Sequence, residues 1–150
     1  MDNLRIYFDL CALKMPFDDQ SSPRIRLESE AVLMIMQSKR DGIEFIHTQA
    51  QDLENDQNPL GWRAERVRRW LEMLPVVSLP VQELAARIEA LVGLGFKPFD
   101  ALQLGSAELA GASVFCTCDD RLLKNADRQT QNLKLRVVDP VELARELTHD

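Results

Sequence analysis

The stretch Lys97-Pro-Phe-Asp100-Ala-Leu-Gln-Leu-Gly-Ser-Ala-Glu108-Leu-Ala-Gly-Ala-Ser-Val-Phe-Cys-Thr117-Cys-Asp119-Asp120 decides how this chain is read. It spells a helix, a tight glycine turn and a short buried strand that ends in acid. Pro98 has no backbone N–H, so it suits a first helical turn, where that donor lacks a partner anyway. Asp100 falls within the same turn. Ala101, Gly105, Ala107 and Ala110 are small and let the helix approach its neighbours closely. Gly111 ends it. Ser113 to Cys116 is apolar and β-favouring, and Thr117-Cys118-Asp119-Asp120 follows where such a strand should stop. A helix-start carboxylate and a strand-end carboxylate on so short a path can meet in space. They repel each other unless something positive sits between them. A metal ion is therefore the first hypothesis.

Working outward, Leu4 to Asp9 reads as a buried strand with an aspartate at its end. Pro16 to Pro23 is a polar loop, and Arg24 to Arg40 a long helix with apolar residues near helical spacing. Glu44 to Thr48 is a second strand. Thr48 followed by Gln51 is a capping-box pattern, which starts a helix carrying Asp52 and Glu54. Trp62 to Met73 is helical, Pro75 to Leu79 a third strand. Pro80 opens a helix whose buried face is Leu84, Ala85, Ile88, Leu91 and Val92. After the stretch quoted above come a short helix through Leu122 and Leu123, a strand over Leu133 to Val138, and a last helix capped by Asp139-Pro140. Strands alternating with helices specify an α/β fold: a three-layer α/β/α sandwich around a parallel sheet of about five strands.

The 150 residues make most simply one domain, 1–150, with 45% hydrophobic and 28% charged residues. No apolar run approaches the ~20 residues that span a bilayer. Without a secretory leader, and with an odd set of cysteines (Cys11, Cys116, Cys118), reduced thiols and a cytoplasmic location are expected. Cys116 and Cys118 lack a partner pair, which argues against zinc. The net charge of −6 is the wrong sign for binding nucleic acid by bulk attraction. It leaves room for a nuclease whose acids are neutralised by bound ions.

In a parallel α/β sheet, sites form beyond the carboxyl ends of the strands. Asp9, Glu54, Asp100 and Asp119 reach that edge from four separate segments. Such a set suits hard divalent ions, Mg²⁺ or Mn²⁺, which take oxygen ligands and water. Those ions polarise phosphodiesters and activate water. Other acidic α/β chemistries fail at particular residues. A haloacid-dehalogenase-type phosphatase needs an acid where Cys11 stands. A receiver domain needs one where Ser78-Leu79 stands. A phosphate-binding glycine loop is absent after the first strand.

With these pieces in place the chain resembles the PIN domain family of nucleases. The matching residues are Ile6-Tyr7-Phe8-Asp9, Thr48 with Glu54, Lys97-Pro-Phe-Asp100-Ala-Leu-Gln-Leu, and Thr117-Cys-Asp119-Asp120-Arg-Leu-Leu. The resemblance implies Mg²⁺- or Mn²⁺-dependent hydrolysis of single-stranded RNA, with Asp9, Glu54, Asp100 and Asp119 as the metal-binding and catalytic acids. It also implies a homodimer and, for members that are toxins of toxin–antitoxin pairs, a cognate antitoxin protein. No membrane association is implied. Two positions depart from the family pattern: Gln103 stands where relatives often carry His, and Cys11-Ala12 replace a polar pair after the first aspartate. The alternative is a catalytically weak or inactive PIN fold that binds RNA or protein.

Several residues compete for roles. Asp119 is preferred to Asp120 as a ligand, leaving Asp120 as a helix cap or a supporting acid. Thr117 is either an ordinary strand residue or a hydroxyl that orients a carboxylate. Glu54 competes with Asp52, Glu28 and Glu30. Arg63, Arg66 and Arg69 form either a solvated helix face paired with Glu65 and Glu72, or a nucleic-acid (phosphate) contact or dimer face. Trp62 and Trp70 are expected as core or interface anchors, His47 as structural, and Lys14 as a neighbour of Asp9.

Overall fold

The computed structural model describes residues 3–38 and 41–148. The first long helix, expected to run to Arg40, ends at Met36 with Gln37 as its C-cap; Lys39, Arg40 and His149 lie outside the described residues. Alternation along the central strands sets the layers. In β1 (Leu4–Phe8), Ile6 and Phe8 enter one core cluster and Tyr7 the other. In β3 (Val114–Cys116), Val114 and Cys116 join the first cluster and Phe115 the second. This is the two-residue period of a strand buried on both faces. With β2 (Ile43–Phe45) and β4 (Arg136–Val138) they form a four-stranded parallel sheet in the order β2-β1-β3-β4.

One face is covered by α1 (Leu10–Lys14), α2 (Pro23–Met36), α4 (Gly61–Glu72) and α8 (Pro140–Thr148). The other is covered by α5 (Val81–Gly93), α6 (Pro98–Leu109) and α7 (Asp120–Arg128). The remaining helix, α3 (Gln49–Asn55), follows β2. The expected three-layer architecture is thus present. The glycine that ends α6, Gly111, has φ 84°, the left-handed conformation that Gly adopts without penalty. Gly105 provides the close approach expected of a small residue. A Cβ there would meet Leu84 Cδ1 of α5 at 3.4 Å.

Four differences have local causes. The segment Pro75–Leu79 contributes a single bridge pair, His47 with Val76, and one bond, Val77 N–H to the His47 carbonyl at 2.9 Å. Prolines at 75 and 80 bracket it and remove two ladder donors. On α5 the covered stripe is Leu84, Ile88 and Leu91, whereas Ala85 is exposed and Val92 is 43% exposed. That helix packs on α6 through the narrow seam at Gly105, so only one stripe is reached. Trp62 is 55% exposed, while Trp70 packs edge-on to Phe8 and Phe45. A further helix, α1, begins directly after Asp9, where no element is expected from Leu10 to Lys14.

Gln51 ties the end of β1 to the start of α3. Its Oε1 accepts from the Thr48 N–H at 2.9 Å, the reciprocal bond of the capping box, and its Nε2 donates to the Phe8 carbonyl at 2.9 Å. The side chain is fully buried. Gln51→Ala leaves both backbone groups unpaired and is expected to cost about 2–4 kcal/mol of stability. Urea unfolding should show a lowered midpoint at unchanged slope. Gln82→Ala, on the exposed start of α5, should stay within about 0.5 kcal/mol.

Candidate active site

Asp9 stands at the end of β1 and is 6% exposed. Its backbone is still extended (φ −67°, ψ 153°), so its side chain folds back over the start of α1. Oδ1 accepts from the Leu10 N–H at 2.8 Å. Oδ2 accepts from the Thr117 hydroxyl at 2.8 Å and from the Cys11 thiol at 3.2 Å. Thr117 is therefore the orienting hydroxyl of the two roles open to it. Thr117 and Cys11 thus both support the Asp9 carboxylate. The Asp9 carboxyl is raised above the usual range, chiefly by burial, with the charge of Asp119 adding to it, although its three hydrogen bonds pull the other way.

Past the end of β3, the Thr117 oxygen also accepts from the Asp119 N–H at 3.1 Å. Asp119 then caps α7: Oδ1 accepts from the N–H groups of Arg121 and Leu122 at 3.0 and 3.3 Å. The capping role open to Asp120 thus belongs to Asp119. Asp120 instead opens the helix and holds Arg24 by two bonds of 2.6 and 3.0 Å. Arg24 keeps the Asp120 carboxyl below the usual range. The same guanidinium bonds Glu28 at 2.8 Å. Asp52 is likewise taken up, by His47 at 2.8 Å. Asp120, Glu28 and Asp52 therefore each have a cationic or imidazole partner, which Asp9 and Glu54 lack among the described residues.

Glu54 lies in the last turn of α3. Its Oε1 accepts from Gln103 Nε2 at 3.1 Å, and that same nitrogen donates to the Ala50 carbonyl at 3.0 Å. Gln103 Oε1 accepts from the Tyr7 hydroxyl, whose oxygen lies 3.1 Å from Thr48 Oγ1. Burial first, and the charge of Asp9 next, push Glu54 up to about 7; Gln103 and Lys14 hold it back. Asp100, in the first turn of α6, is pushed up to about 6 by burial and by the charges of Asp9 and Asp119, against Lys97 and Arg121. Four acids from four segments thus act on one another. The signal for Gln103 as a hydrogen-bonding centre was its place one turn after Asp100. Nothing in the sequence identified Tyr7 as its partner.

The donor set is all carboxylate oxygen, which suits Mg²⁺ or Mn²⁺ rather than a softer metal. Among the described residues no three His, Cys, Asp or Glu side chains converge closely enough to enclose an ion by themselves. Mg²⁺ characteristically binds through one or two carboxylates and keeps several waters, so the acids fit that mode of binding. The arginines of α4 are partly engaged elsewhere. Arg63 pairs with Asp18 at 2.6 Å, Arg66 lies over the Phe17 ring and Arg69 reaches Glu65 at 3.5 Å.

No helix among the described residues is long and apolar enough to cross a membrane. No curated protein matches the chain at a significant level. Among solved structures the fold is similar to that titled "Crystal structure of PAE2754 from Pyrobaculum aerophilum". The TM-score is 0.58 at 16% identity, covering 98% of this chain and 91% of that one. The family model described as PIN domain matches residues 32–128, from α2 to the end of α7 and including Glu54, Asp100 and Asp119. PIN domains have a nuclease-like fold and are generally dependent on divalent metals. The chain belongs to the PIN domain family.

Proposed function

We propose that this protein is a Mg²⁺- or Mn²⁺-dependent endoribonuclease of single-stranded RNA, with Asp9, Asp100, Asp119 and Glu54 as its acids. One observation carries the reading. Four carboxylates from distant segments share one locality, and three of them are raised by burial and by one another's charge. That arrangement is unfavourable for the protein alone and becomes favourable once a divalent cation enters. When bound, the ion would polarise the phosphodiester and make water a better nucleophile.

The chain's own groups divide the remaining work. Asp9 offers a carboxylate whose orientation is fixed by Leu10, Cys11 and Thr117. Asp119 keeps Oδ2 available while Oδ1 holds the start of α7. Asp100 has no side-chain hydrogen bond among the described residues and can turn towards a ligand. Glu54, near 7, is suited to take up a proton at neutral pH. Toxin identity, a cognate antitoxin and a homodimer belong to the same proposal. Exposed Val81 and Val92 on α5 supply apolar surface for such contacts.

Asp9→Asn and Asp100→Asn should each lower Mn²⁺-dependent cleavage of single-stranded RNA at least about 100-fold, on the several-kcal/mol scale of metal-assisted charge stabilisation. Circular dichroism should remain that of the folded protein. Undiminished cleavage by a clean Asp100→Asn preparation rejects the site. If calorimetry finds no Mn²⁺ binding up to millimolar concentration and no RNA is cut, the chain is a binding module instead. That no three acids converge among the described residues favours that second reading.

The raised carboxyls also set a pH dependence. Glu54 and Asp100 have ordinary values of 4.5 and 3.8 and folded values of about 7 and about 6. Between those limits the folded state binds more protons than the unfolded one, so stability falls as pH rises. Both groups are partly exposed, which reduces the effect to about 1–2 kcal/mol in total. The metal-free protein should therefore melt about 2–6 °C lower at pH 8 than at pH 5. Mg²⁺ should recover the loss at pH 8 but not at pH 5, and Glu54→Gln should flatten the profile. A profile identical in Glu54→Gln and wild type removes Glu54 from the cluster.

A further inference from the structure

A cavity of about 270 Å³ opens beside Asp100, between the start of α6 and the length of α7. Lys97, Arg121, Asn125 and Arg128 stand in its wall. All three cations are exposed, and none makes an ion pair or side-chain hydrogen bond among the described residues. Arg24, Arg63, Arg68 and Arg87, by contrast, all hold acids. In a protein of net charge −6, an unpaired cationic trio at one cavity is not the average pattern. Three cations share this wall with one carboxyl, Asp100, on which Lys97 and Arg121 act, so the wall keeps an excess of positive charge that an entering anion would offset.

Size and position narrow the anion. The cavity is smaller than those that usually hold drug-sized ligands, about 300–1,000 Å³, and Phe96 in its wall is buried, so it offers no ring for a base to stack on. A phosphate fits without its base. Lys97 is the N-cap of α6, makes no side-chain cap bond and precedes Pro98, so the positive end of that helix adds to the cationic field. Asp100 lines the cavity and also belongs to the acid cluster, so a group held here lies next to one held at the acids.

We infer that Lys97, Arg121 and Arg128 form a phosphate subsite, which holds a second phosphate of the strand beside the one at the acids. The nucleic-acid origin of that phosphate rests on the nuclease reading; the anion site itself does not. Asn125 adds an amide donor to the same wall. The cations bind and orient the strand and take no part in bond breaking.

The test is binding without turnover. A fluorescein-labelled single-stranded RNA of mixed sequence is titrated with the whole protein in EDTA, and anisotropy is read across a salt series. The triple variant Lys97→Gln/Arg121→Gln/Arg128→Gln should bind at least about 10-fold more weakly. Its salt slope should be shallower by about 0.7, the value for one phosphate contact on a single strand. A control with the same change of charge, Arg26→Gln/Lys134→Gln/Arg145→Gln, should lose less than about 2-fold. Melting curves of both variants should match wild type, since all six side chains are exposed. Repeating the titration with 5′-phosphorylated and 5′-hydroxyl strands tells a terminal from an internal phosphate. Loss with the phosphorylated strand alone assigns the subsite to the terminus, and equal loss with both assigns it to the backbone. The inference is overturned if the triple variant binds like wild type, if the control loses as much, or if wild type binds no RNA at low salt. Cleavage is read separately with Mn²⁺, so an intact nuclease with an unaffected triple variant rejects the subsite alone. RNA binding lost in the triple variant, with no cleavage by wild type, rejects the nuclease alone.

Discussion

Asp9 is held at the end of the central strand with almost no access to water, and no basic side chain among the described residues pairs with it. An isolated buried carboxylate is costly unless its charge is hydrogen-bonded or neutralised. Here three donors arrive from three places: the Leu10 N–H, the Cys11 thiol and the Thr117 hydroxyl. Two come from the turn into α1, and the third from the exit of β3. Satisfying this one carboxylate therefore fixes how α1 leaves β1 and how the chain leaves β3. Thr117 passes the constraint on, because its oxygen also receives the Asp119 N–H. The cap of α7 follows from the same point.

The four acids are held to different degrees, which suits the ion site proposed above. Asp9 has both oxygens committed. Asp119 has one oxygen committed to a helix end. Glu54 is held by one amide, and Asp100 by none among the described residues. The site thus has a rigid floor and adjustable walls. Convergence of three ligands before an ion arrives would press like charges together; Glu54 and Asp100 are already raised, by burial first and by their neighbours' charges next. A looser arrangement that closes on a hydrated ion costs less in the empty state.

What could be read from the sequence follows from how local each signal is. Pro98, Asp100 and Gly111 mark α6 because each acts through its own backbone position. The layers were legible because Ile6, Tyr7 and Phe8 are all apolar and their faces follow from period two. Asp9, Glu54, Asp100 and Asp119 could be singled out as candidates because strand and helix ends are local features brought to a shared edge by topology. Other features depend on partners far away in the chain. Asp119 and Asp120 are alike until Arg24, 96 residues away, takes Asp120. Glu54 and Asp52 are alike until His47 takes Asp52. The exposure of Ala85 and Val92 depends on how narrow the contact with α6 is. Helix α1 is too short to show a period, and its start depends on Asp9 folding back as a cap.

Gln103 shows how one departure from the family pattern alters the chemistry. The Ala50 carbonyl can only accept, so the amide nitrogen must face it, and the same nitrogen reaches Glu54. The amide oxygen then faces Tyr7, which must donate, leaving the Tyr7 oxygen to accept from Thr48. The Ala50 carbonyl thus fixes the direction of the Gln103, Tyr7 and Thr48 hydrogen bonds. A histidine at this position could take up a proton and become a cation beside Glu54, which would pull the carboxyl down. Glutamine cannot. Its hydrogen bond favours the ionised form but brings no charge, and Glu54 remains near 7 against burial and Asp9. The positive charge that completes this site must then come from Lys14 or from outside the chain, and a divalent cation is the species able to neutralise several of the acids together.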